Sequence, residues 1–344
     1  MRFTTLILLL MLFEICTPVL SKPADAQVVI LATRDGGRIG GLNFSNGDLV
    51  RYNIRTDEAE IFLPASTFDA IPGRQLSIDA FSASPNDESF LFSSRRGFIV
   101  NAETVTNING LTVETTGGTQ FTQLELIRSD GLDTNNVEVV FRNFSTDVSG
   151  AAVLPNGNLL LAGKVDGSFA GIDGIDYRVG DIVEYNPETG VGSIFFSADN
   201  FFTPEEGGVR AVGNIDAIDY LANGNLLLSV TNNADIGTSL DDIFTLSQGG
   251  VYEYDFSTGE VSTFFDPCIF DDSAVDLKAF SVVVAADQPV LRGDVDLNGV
   301  VDFADISPFV QLISSEGFRA EADTNDDCAV DFFDISPFLA ILFN

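Results

Sequence analysis

Two twelve-residue segments near the end of this 344-residue chain could do chemistry: DVDLNGVVDFAD from Asp294 and DTNDDCAVDFFD from Asp323. Counted from its first Asp, the first places Asp294, Asp296, Asn298, Asp302 and Asp305 at positions 1, 3, 5, 9 and 12. The second places Asp323, Asn325, Asp327, Asp331 and Asp334 at the same positions. Position 7, Val300 or Ala329, would add a main-chain carbonyl. Each segment therefore supplies four carboxylates, one side-chain amide and one carbonyl. These are hard oxygen donors, at a spacing that lets one short loop surround a cation needing six to eight oxygens. The expected chemistry is calcium binding, one ion per loop and two in all. The two matches lie 29 residues apart in the same phase, and neither overlaps the other. Position 6 is Gly299 in the first loop and Cys328 in the second. The sharp turn there suits glycine, and a side chain driven into the left-handed region costs about 1–2 kcal/mol. The first loop is expected to be the stronger site.

The loops need elements to hold them. The preceding AADQPVLRG contains Pro289 and Gly293, poor material for an entering helix. Each loop is followed by a matching apolar segment, ISPFVQLI or ISPFLAIL, whose proline falls in the first helical turn, where it is tolerated. This is the spacing of an EF-hand-type loop with only the exiting helix, present twice. Over residues 292–344 the pattern resembles a type I dockerin module. The resemblance implies a cohesin-like partner on a scaffold or cell-surface protein. It also implies partner contacts at loop positions 10 and 11, here Phe303-Ala304 and Phe332-Phe333, where cellulosomal dockerins often carry small hydroxyl residues. Docking of the tail on its own body or on another surface is the alternative. Cys328 has one possible partner outside the first 26 residues, Cys268 in FFDPCIFDD. In an oxidising compartment the two could pair and clamp tail to body; two small buried thiols is the other reading.

Residues 27–286 form the body, and they repeat. GDIVEYNPETGVGSIFF from Gly180 matches GGVYEYDFSTGEVSTFF from Gly249 and, more loosely, GDLVRYNIRTDEAEIFL from Gly47. Hairpin patterns accompany these copies: IDAFSASPNDESFLFSS from Ile78, AAVLPNGNLLLAG from Ala151 and IDAIDYLANGNLLLSV from Ile215. Their Pro-Asn-Asp, Pro-Asn-Gly and Ala-Asn-Gly turns give the backbone the freedom a tight reversal needs. Leu159 to Leu226 is 67 residues and Tyr185 to Tyr254 is 69, while Tyr52 to Tyr185 is 133, close to two units. A degenerate copy is expected between them, at about Phe90 to Asn156. Four units of four strands cannot bury their sheets singly and must stack or close. The expected fold class is mainly β, a four-repeat β-propeller-like domain followed by a small α-helical dockerin-like module at 287–344. VVILATRDGG from Val28 reads as the second strand of a hairpin whose first strand is VDLKAFSVVV from Val275, which would close the ring. A β-sandwich or open solenoid is the alternative.

Composition bounds the function. There are 51 acidic residues against 17 basic ones, a formal charge of −34, which repels nucleic acid and anionic lipid and favours cations. The chain has no histidine, which rules out a Ser-His-Asp or Cys-His mechanism and a His-ligated zinc. Residues 1–26 read as an export signal: Arg2, the apolar run LILLLMLF, and Ala24-Asp25-Ala26 as a cleavage site. Their removal takes Arg2, Lys22, Glu14 and Asp25 and leaves the net charge unchanged. The run is too short to span a bilayer. The product is expected outside the cytoplasm, secreted or at the cell surface.

Within the body, Asp79, Asp216 and Asp276 each follow Ile or Val at a hairpin start. Their recurrence in equivalent repeats points to acids bonding backbone amides at strand entry. The acidic segments with Asp166, Asp173, Asp176, Asp235, Asp241 and Asp242 read as rim loops, candidates for ligand or calcium only in so far as rim loops share a mouth. Two functions remain open. One is a secreted, calcium-binding modular protein whose propeller-like domain recognises a ligand such as a glycan. The other is a carbohydrate-active enzyme, glycoside hydrolase or lyase, tethered by its tail and working through carboxylates alone.

Overall fold

The computed structural model describes residues 28–343 except 55, 68–76, 84–88, 95–97, 101–103, 109–112, 117–118, 122–124, 131–136, 142–146, 169–174, 199–213, 237–243, 271–274, 285–290, 316–318, 320, 326 and 328. The expected export signal at 1–26, Cys328, and the acidic residues Asp173, Asp241 and Asp242 therefore lie outside the described residues.

The chain from Val28 to Val284 makes four four-stranded antiparallel sheets. In three of them the strands run in sequence order from an inner to an outer edge, and in the remaining one the last body strand takes the inner edge. The second blade is Ile78–Ala83, Ser89–Ser94, Leu126–Asp130 and Val137–Phe141. The third is Val148–Val153, Leu159–Gly163, Ile182–Asn186 and Val191–Phe196. The fourth is Ile215–Tyr220, Leu226–Val230, Val251–Tyr254 and Val261–Phe265. The closing blade joins both ends of the body, Leu277–Val284 pairing with Val28–Thr33, then Leu49–Asn53 and Glu58–Leu63. Each inner strand packs on the inner strands of both neighbouring blades, so the blades form a closed ring around one axis.

Burial follows position in the ring. The inner strands Ile78–Ala83, Val148–Val153 and Ile215–Tyr220 are buried on both faces for five of six residues, polar Asp79, Ser149 and Asp216 included. The outermost strands, such as Val191–Phe196, are largely exposed. Leu159, Leu226 and Val29 pair with Tyr185, Tyr254 and Tyr52, so the residues that mark the 67-residue repeat occupy one ladder position. In the second blade the same position pairs Phe90 with Ser129. That copy lacks the tyrosine, which is why it is degenerate. The Asn-Gly turns are tied down: Gly157 (φ +83°) donates to Leu154 O, and Asn158 Nδ2 donates to Glu184 Oε1 at 2.6 Å. Gly224 and Asn225 repeat both bonds with Leu221 O and Glu253 Oε1. The segments read as rim loops contain short two-stranded ribbons, Gly167–Ser168 with Asp176–Tyr177 and Ala234–Ile236 with Phe244–Leu246. Asp166 accepts from Val179 N at 2.8 Å.

The tail carries two helices, α1 (Ile306–Ser315) and α2 (Ile335–Leu342), each beginning directly after one acidic loop. Phe309 and Phe338 stack at 4.1 Å between ring centroids and share a small core with Val295, Ala322 and Val330. Arg292 donates to Asp323 O (2.9 Å) and Arg319 to Val295 O (2.8 Å), so each half ties into the other's loop. Among the described residues no helix precedes the first loop, and none is long and apolar enough to cross a membrane. Cys268, at the start of a short 3-10 turn, is disulfide-bonded.

Candidate functional site

In the first loop of the tail, backbone amides turn the acids inward. Asp294, buried at position 1, accepts from Asn298 N and Gly299 N at 2.9 and 2.8 Å. Asp305, buried at position 12, accepts from Asp296 N and Asp302 N at 2.9 and 2.8 Å. Gly299 holds φ +87°, the left-handed turn expected at position 6. The second loop repeats the pattern: Asp323 accepts from Asp327 N, and Asp334 from Thr324 N and Asp331 N. Ligand atoms of Asp294, Asp296 and Asp305 lie within 4.8 Å of one another, as do those of Asp323, Asp327 and Asp334. The third acid comes from position 3 in one loop and position 5 in the other, because Asn298 and Asn325 fill the complementary places. Asp302 and Asp331, at position 9, instead cap the turn that follows, accepting from Ala304 N and Phe333 N. Burial raises the Asp294 carboxyl above its usual range, against the pull of the Gly299 and Asn298 amides, and Asp305 and Asp296 raise it further. Six gathered carboxylates, all oxygen donors, have the chemistry a hard divalent cation needs. Phe303, Phe332 and Phe333, at positions 10 and 11, are exposed.

The ring axis carries a second constellation that the sequence reading aligned differently. In every blade the ladder between the first and second strands skips the second residue of the inner strand. The skipped residues are Asp79, Ser149, Asp216 and Lys278. A β-bulge re-aims a side chain, and here it recurs four times around one axis. Lys164 Nζ lies 2.8 Å from Asp79 Oδ2 and 3.1 Å from Asp147 Oδ2. Lys278 Nζ lies 2.8 Å from Asp216 Oδ2 and 2.9 Å from Asp276 Oδ2. Arg34 reaches Asp276 at 3.5 Å. Outside residues 1–26 these are the chain's only lysines, and each is clamped between two aspartates.

Two corrections follow. Asp276 is equivalent to Asp147, and Lys278 takes the place shared by Asp79 and Asp216. These acids pair with lysine, and the backbone-bonding role expected of them belongs to Asp48 and Asp181. Asp48 accepts from Ser45 N and Ala65 N, and Asp181 from Arg178 N and Ala198 N. Burial lifts the Asp79 carboxyl to about 7 although Lys164 opposes it, and Asp147 adds to the rise. Burial raises Asp216 too, against Lys278. For Lys164, burial would lower the pKa, but Asp79 and Asp147 outweigh it and the ammonium is held above its ordinary value.

No family model matches this chain, and no curated protein matches it. Solved structures do. An auxiliary nutrient binding protein from Bacteroides thetaiotaomicron matches at 10% identity and TM-score 0.29, over 69% of this chain and 48% of that one. The extracellular domain of a one-component system from the same organism matches at 13% and 0.29, over 71% and 28%. YCF48 bound to a D1 peptide matches at 9% and 0.28, over 74% and 82%. The chain thus spans about half the length of the nutrient-binding protein. The four-bladed architecture rests on the strand register above.

Proposed function

We propose that this chain is an exported, calcium-binding modular protein. Its four-bladed body is a recognition domain for a ligand such as a glycan. Its tail is a dockerin-like module, attaching the body to a cohesin-like or cell-surface partner. The observation that carries the reading is the convergence, in each tail loop, of three carboxylates within 4.8 Å, held there by the loop's own amides. Asp294, Asp296, Asn298, Asp302 and Asp305 would hold one ion with the Val300 carbonyl. Asp323, Asn325, Asp327, Asp331 and Asp334 would hold the other with the Ala329 carbonyl. Bound calcium would neutralise carboxylates that otherwise repel, and so favour the folded tail. The exposed Phe303, Phe332 and Phe333 supply an apolar contact surface on the same loops. A Cys268–Cys328 bond would couple tail to body, since Cys16 belongs to the leader.

Calorimetric titration of the full-length chain tests the metal reading. Wild type should take two calcium ions, Asp294→Ala/Asp305→Ala one, and Asp323→Ala/Asp334→Ala one. Absence of binding, or an unchanged stoichiometry in both variants, refutes it. One observation favours the enzyme instead: a carboxyl at about 7 is in the range of a general acid. Release of reducing sugar from a polysaccharide panel, lost in Asp79→Asn, would establish that reading.

A further inference from the structure

We propose that the axial cluster is a binding site for the vicinal hydroxyls of a neutral sugar or polyol. This rests on the reading of the ring as a recognition domain and names its site and ligand class.

The first ground is what the cluster leaves unpaired. Among the described residues, Asp79 Oδ1, Asp147 Oδ1, Asp276 Oδ1, Asn214 Oδ1 and Ser149 Oγ are buried atoms with no hydrogen-bond partner. All belong to the inner-strand ends or the residue just before them. Leaving buried polar atoms unpaired is costly, so a molecule that satisfies them is expected there. Each lysine ammonium gives two of its three N–H groups to aspartates, and the third has no partner among the described residues. The site therefore shows acceptors and donors side by side. A hydroxyl donates once and accepts as well, so two adjacent hydroxyls can bridge a carboxylate oxygen and a neighbouring ammonium.

Charge and spacing decide the class. Four aspartates face Lys164, Lys278 and Arg34, a formal balance of −1, which is a weak field for any ion. Among the described residues the only groups of three acids compact enough for one metal ion are in the tail. The axial acids are spread too widely for a cage and suit a larger, neutral molecule. Solvent reaches the cluster at Lys164, 22% exposed, and Asp147, 20% exposed, whereas Asp79, Asp216 and Lys278 are buried. The fourfold bulge is the device that builds the site, because it puts the side chains of four blades at one axial position.

The test is a titration of the full-length protein, calcium held constant, with D-glucose, D-galactose, D-mannose, L-arabinose and myo-inositol. At least one should bind with one-to-one stoichiometry. Asp147→Asn and Ser149→Ala should each weaken it tenfold or more while leaving the circular dichroism spectrum unchanged. Ser149→Ala keeps every ion pair, so it reports on the hydroxyl alone. No binding of any of the five, or unaltered affinity in both variants, overturns the inference. Two calcium ions without sugar binding would overturn it while leaving the tail reading intact. Sugar binding without calcium would do the reverse.

Discussion

Lys278 of the closing blade reaches into the fourth blade, its Nζ 2.8 Å from Asp216 Oδ2, with side-chain exposures of 6% and 1%. Two charges this deep lose their hydration, and mutual attraction offsets that loss only while both are present. Removing one leaves a buried charge alone, at about 3–5 kcal/mol. Lys278→Met should destabilise the ring by that order, and Lys278→Met/Asp216→Asn by distinctly less. Urea unfolding of the two variants decides it; equal losses would mean that the pair is not coupled.

Lowering the pH from 8 to 5 should stabilise this protein. Asp79 binds its proton more tightly folded, at about 7, than at its ordinary 3.8, and Asp219 does so at about 6. For both, burial is the main cause. A raised folded pKa contributes stability that is complete below about 4 and is lost as pH rises through about 6–7. The melting temperature should therefore rise between pH 8 and pH 5, and Asp79→Asn should flatten that slope. A variant with the wild-type slope would show that Asp79 does not titrate there.

Closure of the ring depends on one non-covalent seam. Val28–Thr33 pairs with Leu277–Val284 on one side and with Leu49–Asn53 on the other, and Val29 through Ala32 are fully buried. Each buried aliphatic side chain contributes about 1.5–3 kcal/mol. Deleting residues 27–33 should cost several kcal/mol and expose a strand edge prone to aggregation. Deleting the tail from Gly293 should cost the body far less. Thermal melts of the two truncations, with light scattering, separate them.

Cys268 is disulfide-bonded, and under the proposed export, with Cys16 in the cleaved segment, Cys328 is its proposed partner. Non-reducing peptide mapping should recover a Cys268–Cys328 peptide. Two free thiols per unfolded chain would refute the pairing.

Much of the ring was legible because its signals are local. The tyrosines at 52, 185 and 254 repeat with the blade, and Val28–Ala32 matches the other second strands closely enough to reveal its missing partner. What misled was register. Asp276 and Lys278 are two residues apart, so they share a face of the strand, and alternation of side chains cannot tell which one aligns with Asp79. The bulge then shifts the ladder by one residue at that point, a change that hydrophobic pattern does not record. Ser149 went unnoticed because a serine at that place carries no charge to draw attention to it. In the tail, the amide-to-carboxylate bonds follow from the loop positions themselves, so the acids at 1 and 12 were readable and the capping role of Asp302 and Asp331 was not.

The seam also sets a schedule. Val28 is paired with Val284, 256 residues later in the chain. At a synthesis rate of roughly 5–20 residues per second, the first-made strand waits on the order of 13–50 s for its inner neighbour to exist. Three blades can form their inner hairpins as soon as a short turn is made; the closing blade cannot. Throughout that wait the ring is an open arc, with the apolar Val29–Ala32 lacking the strand that seals it, so the time of greatest exposure to wrong partners falls before the last body strand emerges.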